Sequence, residues 1–263
     1  MTYFRAEKLC AGYKNRKVLE NISFSIEKGT ITGLLGANGS GKSTLLKSIC
    51  NILPHDGDCF LEGERLEDLS AKKMSLCCGY IPQRTGISID LPLLEVVLMG
   101  FNASLGFLEQ PTKQMKIDAG QALEQVGLGG YERENFQDLS EGQKQLCILA
   151  RTLIAERKLL LLDEPESSLD VRHRYHLMDC VRKFIDKEEK SALVCLHDPQ
   201  LALNTCDTCL VLKDSQTIRS VFPKRQSLEE MGEIFSEVYG AISIHKCYTK
   251  DKKEQFVLLK EDR

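Results

Sequence analysis

No stretch of this 263-residue chain approaches the about 18 consecutive apolar residues of a membrane-spanning helix; even the run Leu159–Leu162 stops at Asp163. The chain is not expected to cross a bilayer by itself. An apolar signal core is also missing from the first thirty residues, which Arg5, Glu7, Lys8, Lys14, Arg16 and Lys17 interrupt, so a secretory leader is not expected and the cytosol is the expected compartment. Excess positive charge is absent too. Lys and Arg total 35 against 38 Asp and Glu, a net charge of -3, which provides no global field to gather nucleic acid. Tandem repeats, low-complexity tracts and sustained heptads do not occur. The eleven cysteines are odd in number and scattered, so they read as reduced thiols, mostly small core residues. Cys206 and Cys209 form a C-x-x-C with no second pair beside it, and His173 and His176 lie on a charged helical stretch. Neither points to a metal.

What is present is concentrated in a few short segments. Gly36-Ala37-Asn38-Gly39-Ser40-Gly41-Lys42-Ser43-Thr44 follows a buried-strand pattern at Ile31–Leu35 and precedes a helix-like run from Leu45, the context that the G-x-x-x-x-G-K-[ST] pattern requires. Glycines at 36, 39 and 41 let successive amide N–H groups face one concavity at the positive end of a helix. Such a concavity binds polyphosphate. Lys42 can reach the β- and γ-phosphates, and the Ser43 hydroxyl is placed to ligate Mg2+.

Leu159–Leu162 is an apolar strand that runs into the adjacent carboxylates Asp163 and Glu164. A sheet core tolerates such a pair only at its polar end, where doubly wound sheets bind ligands. Asp163 is then placed to hold Mg2+, directly or through water, and Glu164 to orient and polarise an attacking water. Ser140 and Gln143 have capping-box spacing at the start of a helix expected over Glu141–Glu156. That spacing alone accounts for Ser140 without any chemistry.

Periodicity along the rest of the chain gives short antiparallel strands around Gly12 and Asn21 between Tyr3 and Ile26, and strands at Asp58–Glu62 and Cys77–Ile81. Helices are expected at Ser70–Leu76, Leu93–Met99, Thr112–Val126, Val171–Lys187 and Pro199–Thr205. Strand signals return at Leu159–Leu162, Ala192–Leu196, Leu210–Lys213 and Thr217–Val221, and Ser227 with Glu230 marks one more helix start. Strands alternating with helices imply a mostly parallel sheet with helices on both faces, an α/β fold.

Taken in order, these motifs resemble the nucleotide-binding subunit of an ATP-binding cassette (ABC) transporter over nearly the whole chain. Gly36–Thr44 corresponds to the Walker A loop, Gln83 to the Q-loop, Leu139–Gln143 to the signature, Leu159–Glu164 to Walker B, Asp170 to the D-loop and His197 to the switch histidine. Tyr13 corresponds to the aromatic that stacks on adenine. The resemblance implies a P-loop NTPase core over 1–83 and 157–221 with an N-terminal antiparallel β subdomain. It also implies an inserted helical subdomain over 84–156 and a short C-terminal extension over 222–263. ATP and Mg2+ are the implied cofactors. Catalysis is implied for Glu164, His197 and Gln83, with Gln83 also on the metal.

The implied partners are a second copy packed head to tail, membrane permease subunits and, indirectly, an extracytoplasmic substrate-binding protein, at the cytoplasmic face of the membrane. Ser140, Glu141, Gly142 and Gln143 would serve the partner copy's nucleotide, and residues from about 84 to 106 would receive a coupling helix. Val96–Gly100, Leu196–Asp198 and Val238–Gly240 resemble the importers of iron chelates, haem or cobalamin. An exporter subunit and a soluble ABC ATPase are the alternatives. Departures occur at Glu141, where the signature usually has glycine, at Leu146, at Glu166 and at Pro199. A carboxylate about 4 Å from a phosphate charge costs roughly 4 kcal/mol at an effective dielectric of 20, so the Glu141 side chain is expected to point away from nucleotide.

Overall fold

The computed structural model describes residues 2–14, 16–83, 90–106, 108–155, 157–188 and 190–261. The chain opens with β1 (Thr2–Tyr13), β2 (Arg16–Glu27), β3 (Ile31–Gly36), α1 (Lys42–Ile49), β4 (His55–Leu61) and β5 (Glu64–Arg65). It continues through α2 (Ala71–Cys77), β6 (Cys78–Ile81), α3 (Leu93–Leu98), α4 (Lys113–Gln125), α5 (Glu141–Leu153), β7 (Leu159–Asp163) and α6 (Val171–Glu188). The last part holds β8 (Ser191–Cys195), α7 (Pro199–Thr205), β9 (Thr208–Lys213), β10 (Thr217–Val221), α8 (Leu228–Tyr239), β11 (Ile242–Tyr248) and β12 (Glu254–Lys260). Two compact units result: Met1–Asp68 with Ser191–Arg263, and Leu69–Lys190.

In the first unit, β2, β1, β4 and β5 form an antiparallel sheet whose alternating side chains bury Phe4, Leu9, Leu19, Ile22 and Ile26. The expected breaks at Gly12 and Asn21 are not breaks. β1 and β2 run for twelve residues each, because the left-handed residues Lys8 (φ 50) and Asn21 (φ 55) are absorbed as register shifts in the ladder. Gly12 stays paired with Lys17, where a Cβ would come within 2.2 Å of the Arg16 carbonyl oxygen.

Beside this sheet in the same unit, β9, β3 and β8 run parallel and β10 joins β9 antiparallel. Every residue of β3 and β8 is buried, the signature of strands covered on both faces. α7 lies so close to β3 that a Cβ on Gly33 would stand 3.1 Å from Cys206 Sγ. Asp198 caps α7 by accepting from the Gln200 and Leu201 amides at 2.9 and 3.2 Å, with Pro199 at the first helical position. The described residues after Val221 include a helix and a hairpin. Ser227 and Glu230 complete their capping box at the start of α8, which packs on β9, β10 and β11, and β11 and β12 form a hairpin.

The second unit holds the parallel pair β6 and β7 and the helices α2 to α6. α3, α4 and α5 pack on one another through buried residues such as Val96, Val97, Leu123 and Ile148. α5 ends at Leu153, short of the expected Glu156, where the Ala155 amide bonds the Thr152 carbonyl in a tighter turn; residue 156 lies outside the described residues. Among the described residues no helix is long and apolar enough to cross a membrane. All eleven cysteines are free thiols and eight of them are buried, as small core residues should be.

Candidate functional site

In the first unit the buried strand β3 ends at Gly36, and the chain turns through Ala37, Asn38 and Gly39, all exposed, before Ser40 leads into α1. Gly36, Gly39 and Gly41 take φ values of 157, 79 and 106, and Gly41 is the N-cap of α1. Its need for glycine is twofold: the left-handed backbone, and β2, whose Leu19 Cδ2 would sit 2.6 Å from an added Cβ. The loop therefore rests directly on the antiparallel sheet. Lys42 is buried, and its Nζ donates to the Gly36 and Ala37 carbonyls at 2.9 and 3.3 Å, so the ammonium lies against the loop it belongs to. Ser43 is half-buried on the first turn of α1, and Thr44 is buried behind it.

Two contacts from distant parts of the same unit hold this loop. Ser215 Oγ donates to the Ser40 carbonyl at 3.1 Å, and Tyr239 Oη accepts from the Gly36 amide at 3.2 Å. Burial pushes the Tyr239 phenol up to about 12, so it stays a neutral hydroxyl. His197 is exposed two residues beyond β8, the parallel neighbour of β3, so the histidine and the loop leave the sheet at the same end. Tyr13 closes β1 opposite Arg16 and is 45% exposed.

In the second unit β7 is buried along its whole length and delivers Asp163 and Glu164 at its carboxyl end, both still buried. Glu164 adopts a left-handed backbone (φ 51), an uncommon state for a glutamate. Its Oε2 accepts from Gln83 Nε2. Tyr80 Oη donates to Asp163 Oδ2 at 3.2 Å. The neighbouring parallel strand β6 thus brings Tyr80 and Gln83 to the two carboxylates. Gln83 is a residue the resemblance implies for the site, whereas Tyr80 joins it from three residues upstream at the end of the same strand without belonging to any of those motifs.

Ser140 caps α5: its Oγ accepts from the Gln143 amide at 3.3 Å, and its own amide donates to Gln143 Oε1 at 3.0 Å. Gly142 faces Leu169, whose Cδ2 would lie 2.9 Å from an added Cβ. Glu141 is turned out to solvent and paired with Lys144 at 3.1 Å, while Leu146 is buried in the helical core. Asp170 is exposed at the start of α6; hydrogen bonds from the His173 amide and ring hold its carboxyl below the usual range. Of the segment expected to receive a coupling helix, residues 84–89 lie outside the described residues.

A family model described as "ABC transporter" matches residues 19–167. An uncharacterized ABC transporter ATP-binding protein of Methanocaldococcus jannaschii is 32% identical over 261 residues, covering 95% of this chain and 89% of that protein. A protein of Helicobacter pylori named as a probable iron chelatin transport ATP-binding protein is 34% identical over 206 residues, 78% of this chain and 81% of its own. A nucleotide-free ATP-binding cassette from an ABC transporter superposes with a TM-score of 0.77 at 23% identity, over 90% of this chain and 96% of that one, a likeness of fold. The glycine loop, the buried strand with its two carboxylates and these matches agree: the chain belongs to the ABC transporter family, as an ATP-binding subunit with ATPase activity.

Proposed function

We propose that this ATPase powers the import of an iron chelate, haem or cobalamin through separate membrane permease subunits, which an extracytoplasmic substrate-binding protein supplies. The similarity to the H. pylori iron chelatin protein supports the cargo class. The observation that carries the chemistry is the pairing of Gln83 with Glu164 and of Tyr80 with Asp163 at the end of a buried strand. Hydrogen-bonded carboxylates in a largely water-free setting are held in one orientation, which is what a general base needs.

Glu164 takes the proton of the water whose oxygen bonds to the γ-phosphorus of ATP, as the bond from that phosphorus to the bridging oxygen breaks and ADP leaves. His197 contacts the γ-phosphate, the Gly36–Thr44 loop and Lys42 cradle the phosphates, and Tyr13 stacks on adenine. Ser43, Gln83 and Asp163 each offer an oxygen donor of the hard kind that Mg2+ takes. When bound, the ion neutralises charge on the β- and γ-phosphates.

Two copies pack head to tail, so that Ser140, Gly142 and Gln143 at the start of α5 meet the nucleotide held by the other copy. The Glu141 side chain, paired with Lys144 at 3.1 Å, points away from the nucleotide in this proposal, and an ATP-bound dimer with that carboxylate against the phosphates would overturn the placement. ATP then has higher affinity for the closed pair than for the open one, and hydrolysis removes that difference, as a ligand-driven two-state switch requires. Asp170 stands at the start of α6, where its carboxylate can order the contact between copies. The assembly works at the cytoplasmic face of the membrane, with no nucleic acid partner.

Glu164→Gln tests the chemistry. The amide cannot accept the proton while the phosphate contacts remain, so the variant should bind ATP, accumulate as a dimer and lose hydrolysis. Near-normal turnover removes Glu164 from the mechanism. Co-purification with a multi-span membrane protein tests the transport assignment, and recovery with ribosomes or DNA instead overturns it.

A further inference from the structure

β4 and the single helical turn Leu66–Asp68 bring three different metal-ligating side chains together in the first unit, away from the nucleotide loop. His55, Cys59 and Glu67 each offer one donor atom, and the three atoms lie within 4.8 Å of one another. Cys59 is fully buried, and the His55 side chain is only 3% exposed. Residues four apart on a flat strand would stand too far from each other. Gly57, at φ 93 with the Glu7 and Lys8 carbonyl oxygens each 2.6 Å from where a Cβ would be, sits at a register shift between β1 and β4 that bends the strand between His55 and Cys59.

Both ring nitrogens of His55 face acceptors. His55 Nδ1 faces the Leu53 carbonyl oxygen at 3.3 Å, and Nε2 faces Glu67 Oε1 at 3.0 Å. A neutral imidazole has one N–H, so only one of these two acceptors can be satisfied by the ring. The Nδ1 contact has the form seen for metal-bound histidine, in which the second nitrogen donates to a carbonyl and aims the first at the ion. Glu67 Oε1 also accepts from the Cys59 amide at 2.9 Å, whereas Oε2 is buried without a hydrogen-bond partner. Arg65 Nε stands 3.6 Å from that oxygen, but its guanidinium is also engaged by Asp58 and Asp68. Three carboxylates thus share one positive side chain.

We propose that His55 Nε2, the Cys59 thiolate and a Glu67 carboxylate oxygen form a binding site for a borderline divalent ion of the zinc type. Nitrogen, sulfur and oxygen donors in one site suit zinc rather than magnesium or calcium. A tetrahedral zinc ion with bonds of about 2.0 to 2.3 Å keeps its ligands roughly 3.5 Å apart, so filling the site draws in the wider separations, up to 4.8 Å, and slightly opens the 3.0 Å His55 Nε2–Glu67 Oε1 edge. Three protein ligands leave one position for water. The ion would pin the end of β4 to the turn that follows the β4–β5 hairpin, and so tie metal binding to the stability of the antiparallel sheet.

Cobalt titration of the chelator-stripped, reduced full chain tests this without ATP or Mg2+. One equivalent of Co2+ should give thiolate-to-cobalt absorption, and Zn2+ should displace it and raise the melting temperature. Cys59→Ala should lose the absorption while still binding a fluorescent ATP analogue, and Glu67→Gln should weaken Co2+ binding roughly tenfold or more. Cys206→Ala, in the C-x-x-C, should leave it unchanged. If the unmodified chain gives no absorption, only a proton or nothing lies between His55 and Glu67 and the proposal is overturned. Absorption that survives Cys59→Ala, or full affinity in Glu67→Gln, overturns it as well.

Discussion

Replacing Tyr239 by Phe separates the contribution of the C-terminal helix to the phosphate loop from every other feature of the protein. The phenol lies 203 positions from Gly36 in sequence, yet its Oη is the acceptor for the first amide of the loop. Without the hydroxyl, that part-buried N–H loses its acceptor, at a cost of about 1 to 3 kcal/mol. For a protein of this size the melting temperature should fall by roughly 2 to 4 °C for each kcal/mol. The pH dependence gives a second, independent signature. Burial raises the folded-state phenol to about 12 from an ordinary value of 10. Its contribution is fully present below pH 10 and is lost as pH rises towards 12, because only the unfolded chain releases the proton in that window. Two units correspond to about 3 kcal/mol as an upper figure.

Urea titrations at pH 7 and in steps above pH 9 measure both effects, read as the midpoint with its slope held in view. Buried thiols such as Cys147, pushed up to about 12, add their own alkaline loss, so the wild-type minus variant difference is the quantity to follow. Tyr239→Phe should be less stable at pH 7, and the gap should close and then reverse as the wild type becomes strained at high pH. The apparent affinity for ATP should drop because the loop loses one of its anchors. Equal stability at pH 7 together with a parallel alkaline decline would refute the reasoning.

Ser140→Asp distinguishes a helix cap from a nucleotide contact: aspartate caps as well as serine, so stability should change by less than about 0.5 kcal/mol, while ATP-dependent dimerisation measured by light scattering should disappear. Dimers at wild-type ATP concentrations would sink the in-trans role of α5. Gly41→Ala must place a Cβ 2.6 Å from Leu19 in a left-handed backbone; it should cost about 2 kcal/mol or more and abolish ATP binding in calorimetry. Tyr80→Phe removes the hydrogen bond to Asp163 and should lower kcat roughly tenfold with KM for ATP little changed; an unchanged kcat means that Tyr80 only packs.

The sequence by itself determined the glycine loop, the apolar strand ending in Asp163 and Glu164, and the capping boxes at Ser140 and Ser227, because each is written in consecutive residues whose local physics is self-sufficient. A loop that must turn left-handed needs glycine wherever the fold places it, and a helix start needs its cap whatever it packs on. Contacts with long sequence separation were decided by tertiary structure alone. Tyr239 on Gly36 and Tyr80 on Asp163 depend on which strand lies beside which, and no window of neighbouring residues carries that information; His55, Cys59 and Glu67 lie within thirteen residues, but their convergence depends on where the β1–β4 ladder shifts register. The twelve-residue strands β1 and β2 teach the same point from the other side. Gly12 and Asn21 look like punctuation in the chain, but cross-strand pairing stabilises the extended backbone strongly enough to carry a bulge without ending the strand.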